Sequence, residues 1–333
     1  MRVAGERSLV FPDYAGNSHY NTLGNLVMDP RAGILFVDFE RGGLLQLSGR
    51  VRIDWDSPEL AHFPGARRLL HFELDEAVEL ERALPLRWQK AGGSVRSLRL
   101  VEKIRESDEV TSFVFESRDG GPLADFNAGQ HLPIVLEGTG PGCGVSRTYS
   151  LSNGPGQGRY RISVKRHSQG VASRCLHDHV ELGAILSTRA PAGDFVLDPS
   201  SPRPVVLVSA GVGLTPLVSM LHELVGGGDS RRVWFVHGAR DGRHHPLADE
   251  VRGLAARAPN VRLHAAYSRP LPEDELGRHY DSAGRVDGAL LEKLMPGLDG
   301  DFYLCGPIGF LASVQESLEA RGVPSERIRS ETF

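Results

Sequence analysis

Hydrophobic positions along this chain change period twice. Up to about Trp88 they fall in short alternating runs, Gly33 to Phe39 and Leu44 to Trp55, set around a Gly-Gly pair at 42 and 43. A period of two around a glycine turn predicts antiparallel strands. From about 94 to 198 the runs Ser97 to Ile104, Val110 to Glu116, His131 to Leu136, Arg147 to Leu151, Tyr160 to Lys165 and Ala184 to Thr188 are separated by Gly and Pro clusters. Short strands spaced in this way predict a closed barrel. Val171, Cys175 and Leu176 recur at helical spacing, so one helix over Val171 to His179 interrupts it. Beyond this the pattern becomes β-turn-α: an unbroken apolar strand Pro204 to Ala210, a glycine turn, then an amphipathic helix Thr215 to Leu224. The unit repeats with Arg232 to His237 before helix Pro246 to Ala258, with Val261 to Ser268, and with Asp301 to Cys305 before helix Phe310 to Arg321. Apolar strands alternating with helices predict a parallel sheet covered on both faces.

Turn-forming clusters at Gln89 to Gly93 and Asp198 to Pro204 mark the breaks. Three segments result, 1–92, 93–200 and 201–333. The first has few long apolar runs in under about 90 residues, a modest core. It needs a partner surface or a second copy, and a homodimer through this segment is one such arrangement.

Composition narrows the class without naming a function. The chain has 333 residues, 40% hydrophobic and 24% charged, as in globular multidomain proteins. A net charge of -4 gives no basic surplus for a phosphate backbone, so nucleic acid is not an expected partner. No apolar run approaches the roughly 20 residues that cross a bilayer, and Met1 to Arg7 lacks a signal peptide's apolar centre; a cytoplasmic protein is expected. Cys143, Cys175 and Cys305 are far apart, with no C-x-x-C pair, and predict neither a disulfide framework nor a metal site. The neighbouring histidines 177 and 179, and 244 and 245, do not converge on one helical face and predict no metal.

Four places carry candidate chemistry. On the strand at Arg147, Thr148, Tyr149 and Ser150, alternation sets Arg147 and Tyr149 on one face and Thr148 and Ser150 on the other. Arg offers a fork of donors to phosphate, Tyr a flat ring and Ser a hydroxyl; an ordinary half-buried strand is the other reading. Gly170, Val171, Ala172 and Ser173 open the short helix, whose free N–H groups favour a diphosphate. Ser173 merely sitting in a first helical turn fits equally. Gly211, Val212, Gly213, Leu214, Thr215 and Pro216 follow a buried strand and open a helix, the setting of a nucleotide-binding turn. The third glycine of the dinucleotide fingerprint is missing, and Pro216 shapes the helix start instead. Cys305, Gly306 and Pro307 end the last parallel strand, where ligands of open α/β sheets sit, although a lone Cys there is more often a small buried hydrophobe.

In order, Gly129-Gln130-His131-Leu132, RTYSLS from Arg147, ISVKR from Ile162, GVAS from Gly170, PAGDF from Pro191, VSAGVGLTP from Val208 and FYLCGPIGF from Phe302 resemble the ferredoxin-NADP reductase superfamily. The likeness is greatest to the reductase portion of flavohaemoglobins and to phthalate-dioxygenase-type reductases, and it runs from about residue 95 to the end. It implies an antiparallel β-barrel FAD-binding domain joined to an α/β parallel-sheet NAD(P)-binding domain. By the same resemblance, FAD is held by Arg147, Thr148, Tyr149 and Ser150, by Val164 and Lys165, by Gly170, Val171, Ala172 and Ser173, and by Gln130. Ser150 falls near flavin N5. Gly211, Gly213, Thr215 and Pro216 hold the diphosphate of NADPH or NADH, and Cys305, Gly306 and Pro307 approach nicotinamide. Glu331 and Phe333 match the family's terminal acidic and aromatic positions, and Ser150, Cys305 and Glu331 are the expected catalytic groups. Arg240, Ser268 and Arg269 would meet a 2'-phosphate, which favours NADPH; solvated surface charge is the alternative.

Residues 8–90, with FPDYAGNSHYNTLGNL from Phe11 and LLQLSGRVRI from Leu44, resemble the C-terminal half of a pyridoxamine-phosphate-oxidase-like split barrel. Half of that barrel's walls are absent, which counts against an FMN site there without deciding it. Proteins of the fused type often add a [2Fe-2S] ferredoxin domain, whose four cysteines this chain lacks, and there is no globin segment; a fragment or shortened product is expected. The resulting expectation is a flavin-dependent NAD(P)H oxidoreductase passing electrons to a [2Fe-2S] ferredoxin domain or protein, or another redox partner. The alternative from a different class is a flavin-binding scaffold or interaction module with little turnover.

Overall fold

A computed structural model describes residues 2–14, 21–38, 42–63, 66–81, 83–84, 95–136 and 145–332. Phe333, Cys143 and the expected linker Gln89 to Gly93 lie outside these residues. The chain divides into two compact units, Met1–Gly92 and Gly93–Phe333.

The first unit is an antiparallel sheet of β1 (Arg2–Gly5), β2 (Ser8–Tyr14), β3 (Arg31–Asp38), β4 (Gly43–Asp54) and β5 (Ala66–Leu80), in the order β1-β2-β5-β4-β3, with one helix, α1 (Asn21–Met28). Its buried core is Leu23 of α1 with Leu47, Val51, Leu70 and Phe72. Leu9, Phe11, Ile34, Phe36 and Ile53 pack against it only partly buried, which matches the modest core expected from the sequence.

The second unit starts with β6 (Arg96–Arg105), β7 (Val110–Ser117), β8 (His131–Leu136), β9 (Val145–Ser150), β10 (Tyr160–Lys165), α2 (Val171–Asp178) and β11 (Ile185–Thr188). The strand order is β10-β7-β6-β11-β8-β9, every pairing antiparallel. A bridge between Leu151 and Ile162 returns the end of β9 to β10 and closes the barrel. Inward residues, among them Leu98, Leu100, Phe113, Phe115, Leu132, Ile134 and Ile162, fill it, and α2 contributes Ala172, Cys175 and Leu176 to the same core. Cys175 is disulfide-bonded, which corrects the expectation that no cysteine is bridged.

An α/β half follows: β12 (Val205–Ala210), α3 (Leu214–Gly226), β13 (Val233–Ala239), α4 (Ala248–Arg257), β14 (Val261–Tyr267), β15 (Ser282–Ala283), α5 (Gly288–Leu294), β16 (Asp301–Gly306), α6 (Ile308–Glu319) and β17 (Ile328–Thr332). Its six strands are all parallel, in the order β15-β14-β13-β12-β16-β17. Successive strands run outward from β12 to one edge and then return to its other side. The order therefore reverses at β12, and the crevice beyond its carboxyl end is where an open α/β sheet binds a ligand. Side chains of β12 alternate between two cores: Val205 and Leu207 face α3 and α4, while Val206 and Val208 face α5 and α6.

Barrel and α/β half meet closely at Gly129. Its φ of +100° is a conformation that side chains rarely adopt, and a Cβ there would lie 2.1 Å from Phe195 O and 2.6 Å from Met220 Cε of α3.

Candidate flavin and nucleotide site

Strand β9 presents the first group. Arg147 and Thr148 are exposed, Tyr149 is half-buried against the barrel core and Ser150 is buried. Among the described residues Arg147 bonds the neighbouring Ser146 carbonyl, 2.8 Å away, and its other guanidinium donors have no partner there. Burial pushes the Tyr149 phenol up to about 12, so its ring is neutral. The Ser150 Oγ is buried without a hydrogen-bond partner among the described residues. A buried hydroxyl left unpaired costs about 1–3 kcal/mol, a cost that a ligand atom bonded there would remove.

Other expected barrel positions are more committed. Gln130 accepts from Asn127 N at 3.0 Å and donates to Gly193 O at 3.1 Å, so its amide braces two loops. Lys165 Nζ pairs with Glu109 at 2.8 Å, and the Val164 side chain is buried in the barrel core. Ser173 Oγ accepts from His167 N at 3.2 Å and donates to Gly170 O at 3.3 Å; its hydroxyl ties a turn. The helix start itself stays available. Gly170 caps α2 with no side-chain bond, so the first-turn N–H groups through Val171, Ala172 and Ser173 are free for an anion.

On the α/β side the turn Gly211–Gly213 leads straight from β12 into α3, again with no side-chain cap. Gly211 has φ +59°. A Cβ on Gly213 would sit 2.3 Å from Cys305 O and 2.7 Å from Gly306 N, so only glycine lets this turn lie against the end of β16. Thr215 Oγ1 donates to Val212 O at 3.1 Å and buried Pro216 occupies the first turn of α3, both stiffening the loop. Gly306 and Pro307 pass from β16 into α6, Pro307 as its N-cap.

Cys305 is fully buried, and Glu331 is its register partner on β17. Burial, then the Glu331 charge, pushes the Cys305 thiol up. Burial likewise raises the Glu331 carboxyl to about 7, and its Oε2 has no hydrogen-bond partner among the described residues. Glu331 Oε1 lies 4.0 Å from His131 Nδ1, and His131 is the register partner of Ser150. Ser150, His131, Glu331 and Cys305 thus form a connected series across the junction of barrel and α/β sheet. His131 was not among the sequence candidates; its place in the Gly129–Leu132 motif was the available signal.

Arg240, Ser268 and Arg269 are brought together in one cleft of about 870 Å³ beyond β12, β13 and β14. Sequence reasoning missed Arg285, Asp287 and Phe310, which also line it. Arg240 Nη1 is 3.2 Å from His244 Nε2, whereas the guanidinium groups of Arg269 and Arg285 have no protein partner among the described residues. Asp287 accepts from Leu290 N at 2.8 Å as the cap of α5.

Comparison with known proteins agrees with this geometry. Residues 97–197 match the oxidoreductase FAD-binding domain and residues 207–316 the oxidoreductase NAD-binding domain. A flavohemoprotein of Deinococcus radiodurans is 42% identical over 238 residues, 72% of this chain and 59% of that protein. One of Rhizobium meliloti is 41% identical over 255 residues, 74% of this chain and 62% of its own length. The chain thus spans about three-fifths of the length of these relatives. Among solved structures, the flavohem-like FAD/NAD-binding domain of nitric oxide dioxygenase from Vibrio cholerae is 38% identical with a TM-score of 0.63, covering 72% of this chain and 98% of that one. Phthalate dioxygenase reductase is 26% identical with a TM-score of 0.58, covering 72% and 68%. The chain therefore belongs to the ferredoxin-NADP reductase-like oxidoreductases, in which an FAD-binding domain is followed by an NAD-binding domain.

Proposed function

We propose that this chain moves hydride from NADPH or NADH to FAD and passes the electrons singly to a separate one-electron centre, a haem or a [2Fe-2S] cluster. The observation that carries the reading is the pair of unpaired buried atoms, Ser150 Oγ on the barrel and Glu331 Oε2 on the sheet, joined through His131. Two orphaned polar groups at one junction are a cost unless something polar lies between them. A flavin ring edge on β9 and a nicotinamide at the β12 and β16 ends fit that description.

FAD, when bound, supplies the conversion between two-electron and one-electron chemistry. The chain's own residues bind and orient. Arg147 and the first turn of α2 receive the flavin diphosphate, Tyr149 lies along the ring and Ser150 bonds its edge. Gly211, Gly213 and the start of α3 hold the nucleotide diphosphate, with Thr215 and Pro216 stiffening that turn. Cys305, packed against Gly213, shapes the nicotinamide floor and excludes water, while Glu331 holds a proton beside it. Arg240, Ser268, Arg269 and Arg285 receive a 2'-phosphate, which favours NADPH.

The acceptor reading draws on two relatives: flavohemoproteins by name, and a reductase described as carrying electrons from pyridine nucleotides to [2Fe-2S]. Domain limits near 92 and 200 and a partial split barrel in 1–92 are part of the same proposal; the five-stranded antiparallel sheet of the first unit supports the latter. The test is direct: purified protein should be yellow, release FAD on denaturation and bleach on anaerobic addition of NADPH or NADH. Yellow protein bleached by neither nucleotide would favour the flavin-binding scaffold, and colourless protein that takes up no FAD the interaction module.

A further inference from the structure

Barrel and α/β half are also tied by a polar clamp outside every ligand-binding position named above. It begins just past the flavin strand. Arg161 of β10 donates through Nε to Ser152 Oγ at 3.1 Å and through Nη2 to the Ser152 carbonyl. The other side of the same guanidinium forms a two-pronged pair with Glu250 of α4, Nη1 to Oε2 at 2.8 Å and Nη2 to Oε1 at 2.7 Å. Glu250 Oε1 lies 2.5 Å from His222 Nε2 of α3. Three residues earlier on the same helix, buried Ser219 donates to Asn153 O at 2.7 Å. Burial pushes the Glu250 carboxyl up, but its bonds to His222 and Arg161 outweigh this and hold it at about 2. Arg161 and Glu250 side chains are only 13% and 25% exposed, so solvent screening is weak and the planar, two-pronged contact fixes orientation as well as distance.

Position in the chain makes this clamp more than adhesion. Ser152 and Asn153 lie two and three residues beyond Ser150. Helix α3, which carries Ser219 and His222, is the rigid continuation of the Gly211–Gly213 turn; Thr215 and His222 are about 10 Å apart along it at 1.5 Å per residue. A sliding motion of α3 against β10 would move the nucleotide turn relative to the flavin strand by the same amount.

We infer that Arg161, Glu250 and His222 are positioning residues that set the separation of the two reacting rings by locking the flavin strand to the nucleotide helix. The inference rests on the reductase reading. Hydride transfer requires atoms about 3–3.5 Å apart, and a misplacement of about 1 Å costs about a hundredfold in rate.

The experiment is anaerobic stopped-flow reduction of the FAD-loaded full chain at increasing NADPH or NADH, comparing parent, Glu250→Gln, Arg161→Lys and the Arg161→Lys/Glu250→Gln double variant. The limiting rate of flavin bleaching is expected to fall about tenfold or more in each single variant, with FAD content and half-saturating nucleotide within about twofold of parent. The double variant should be slower by much less than the product of the two single losses, because each single already breaks the Arg161–Glu250 pair. Should any of these fail to fold, Ser219→Ala removes the parallel α3 bond at less cost and should still lower the limiting rate. Limiting rates within about twofold of parent, even with a lower melting temperature, would overturn the inference, as would a loss confined to FAD content or nucleotide half-saturation. A parent chain that holds FAD yet is bleached by neither nucleotide overturns the reductase reading and this inference together; a parent that bleaches beside variants that bleach equally fast overturns the inference alone.

Discussion

Cys305 and Glu331 are register partners on adjacent parallel strands, and burial raises both of their proton affinities. The thiol therefore stays protonated at neutral pH, and the thiolate is the reactive form of cysteine. The role proposed for Cys305 is therefore one of shape. Cys305→Ala is expected to leave FAD content unchanged and slow flavin reduction about tenfold, with the parent thiol resisting alkylation in the folded state. Rapid alkylation of the native protein at Cys305 would contradict the placement.

Glu331 should impose a pH dependence near neutrality. Its carboxyl is raised to about 7 from an ordinary value of 4.5, so the folded protein binds a proton that the unfolded chain has released. Stability from this group is full below the ordinary value and is lost as pH rises through about 7. Glu331→Gln stays neutral throughout. It should flatten the dependence of melting temperature and of flavin reduction on pH between about 5 and 8; the same slope in parent and variant would reject the assignment.

Ser150→Ala separates ligand contact from structure by sign. Removing an unpaired buried hydroxyl relieves the chain without ligand, worth about 1 kcal/mol, so the apoprotein should melt slightly higher. With FAD present the order should reverse, and flavin reduction should slow. Melting curves with and without FAD measure both; equal shifts in the two states would deny the hydroxyl a ligand.

The arginine cleft predicts a nucleotide preference. A charge-assisted hydrogen bond to phosphate contributes about 1.5–3 kcal/mol, or about ten- to a hundredfold in affinity. Arg269→Ala and Arg285→Ala should each lower kcat/KM for NADPH by about tenfold while changing NADH little. Equal losses with both nucleotides would place these side chains elsewhere than on a 2'-phosphate.

The parallel sheet and its glycine turn were legible because β12, β13 and β16 are apolar on both faces and the turn needs residues without side chains at Gly211 and Gly213. Arg147 to Ser150 were legible as a strand by alternation. What escaped was set by tertiary pairing. β5 reads LDEAVEL in its second half, good helix formers that become a strand only because β4 lies beside them. β17 is short, polar and at an edge, so its IRSET sequence gave no periodic signal, although it brings Glu331 to Cys305. Arg161 and Glu250 are 89 positions apart, and no pattern along a sequence pairs two such charges. Ser173 stood out through its place at the start of α2 and the family resemblance, whereas the bonds of its hydroxyl to His167 N and Gly170 O are tertiary detail that spacing does not carry.

At Gly129 there is no space for even one methyl between the Phe195 carbonyl and Met220. Of these two neighbours only Met220 comes from the nucleotide half, so the contact across the junction is its side-chain tip against the Gly129 backbone. A foreign nucleotide half grafted after Asp198 to Pro204 would have to bring a residue at the Met220 position that leaves this gap open.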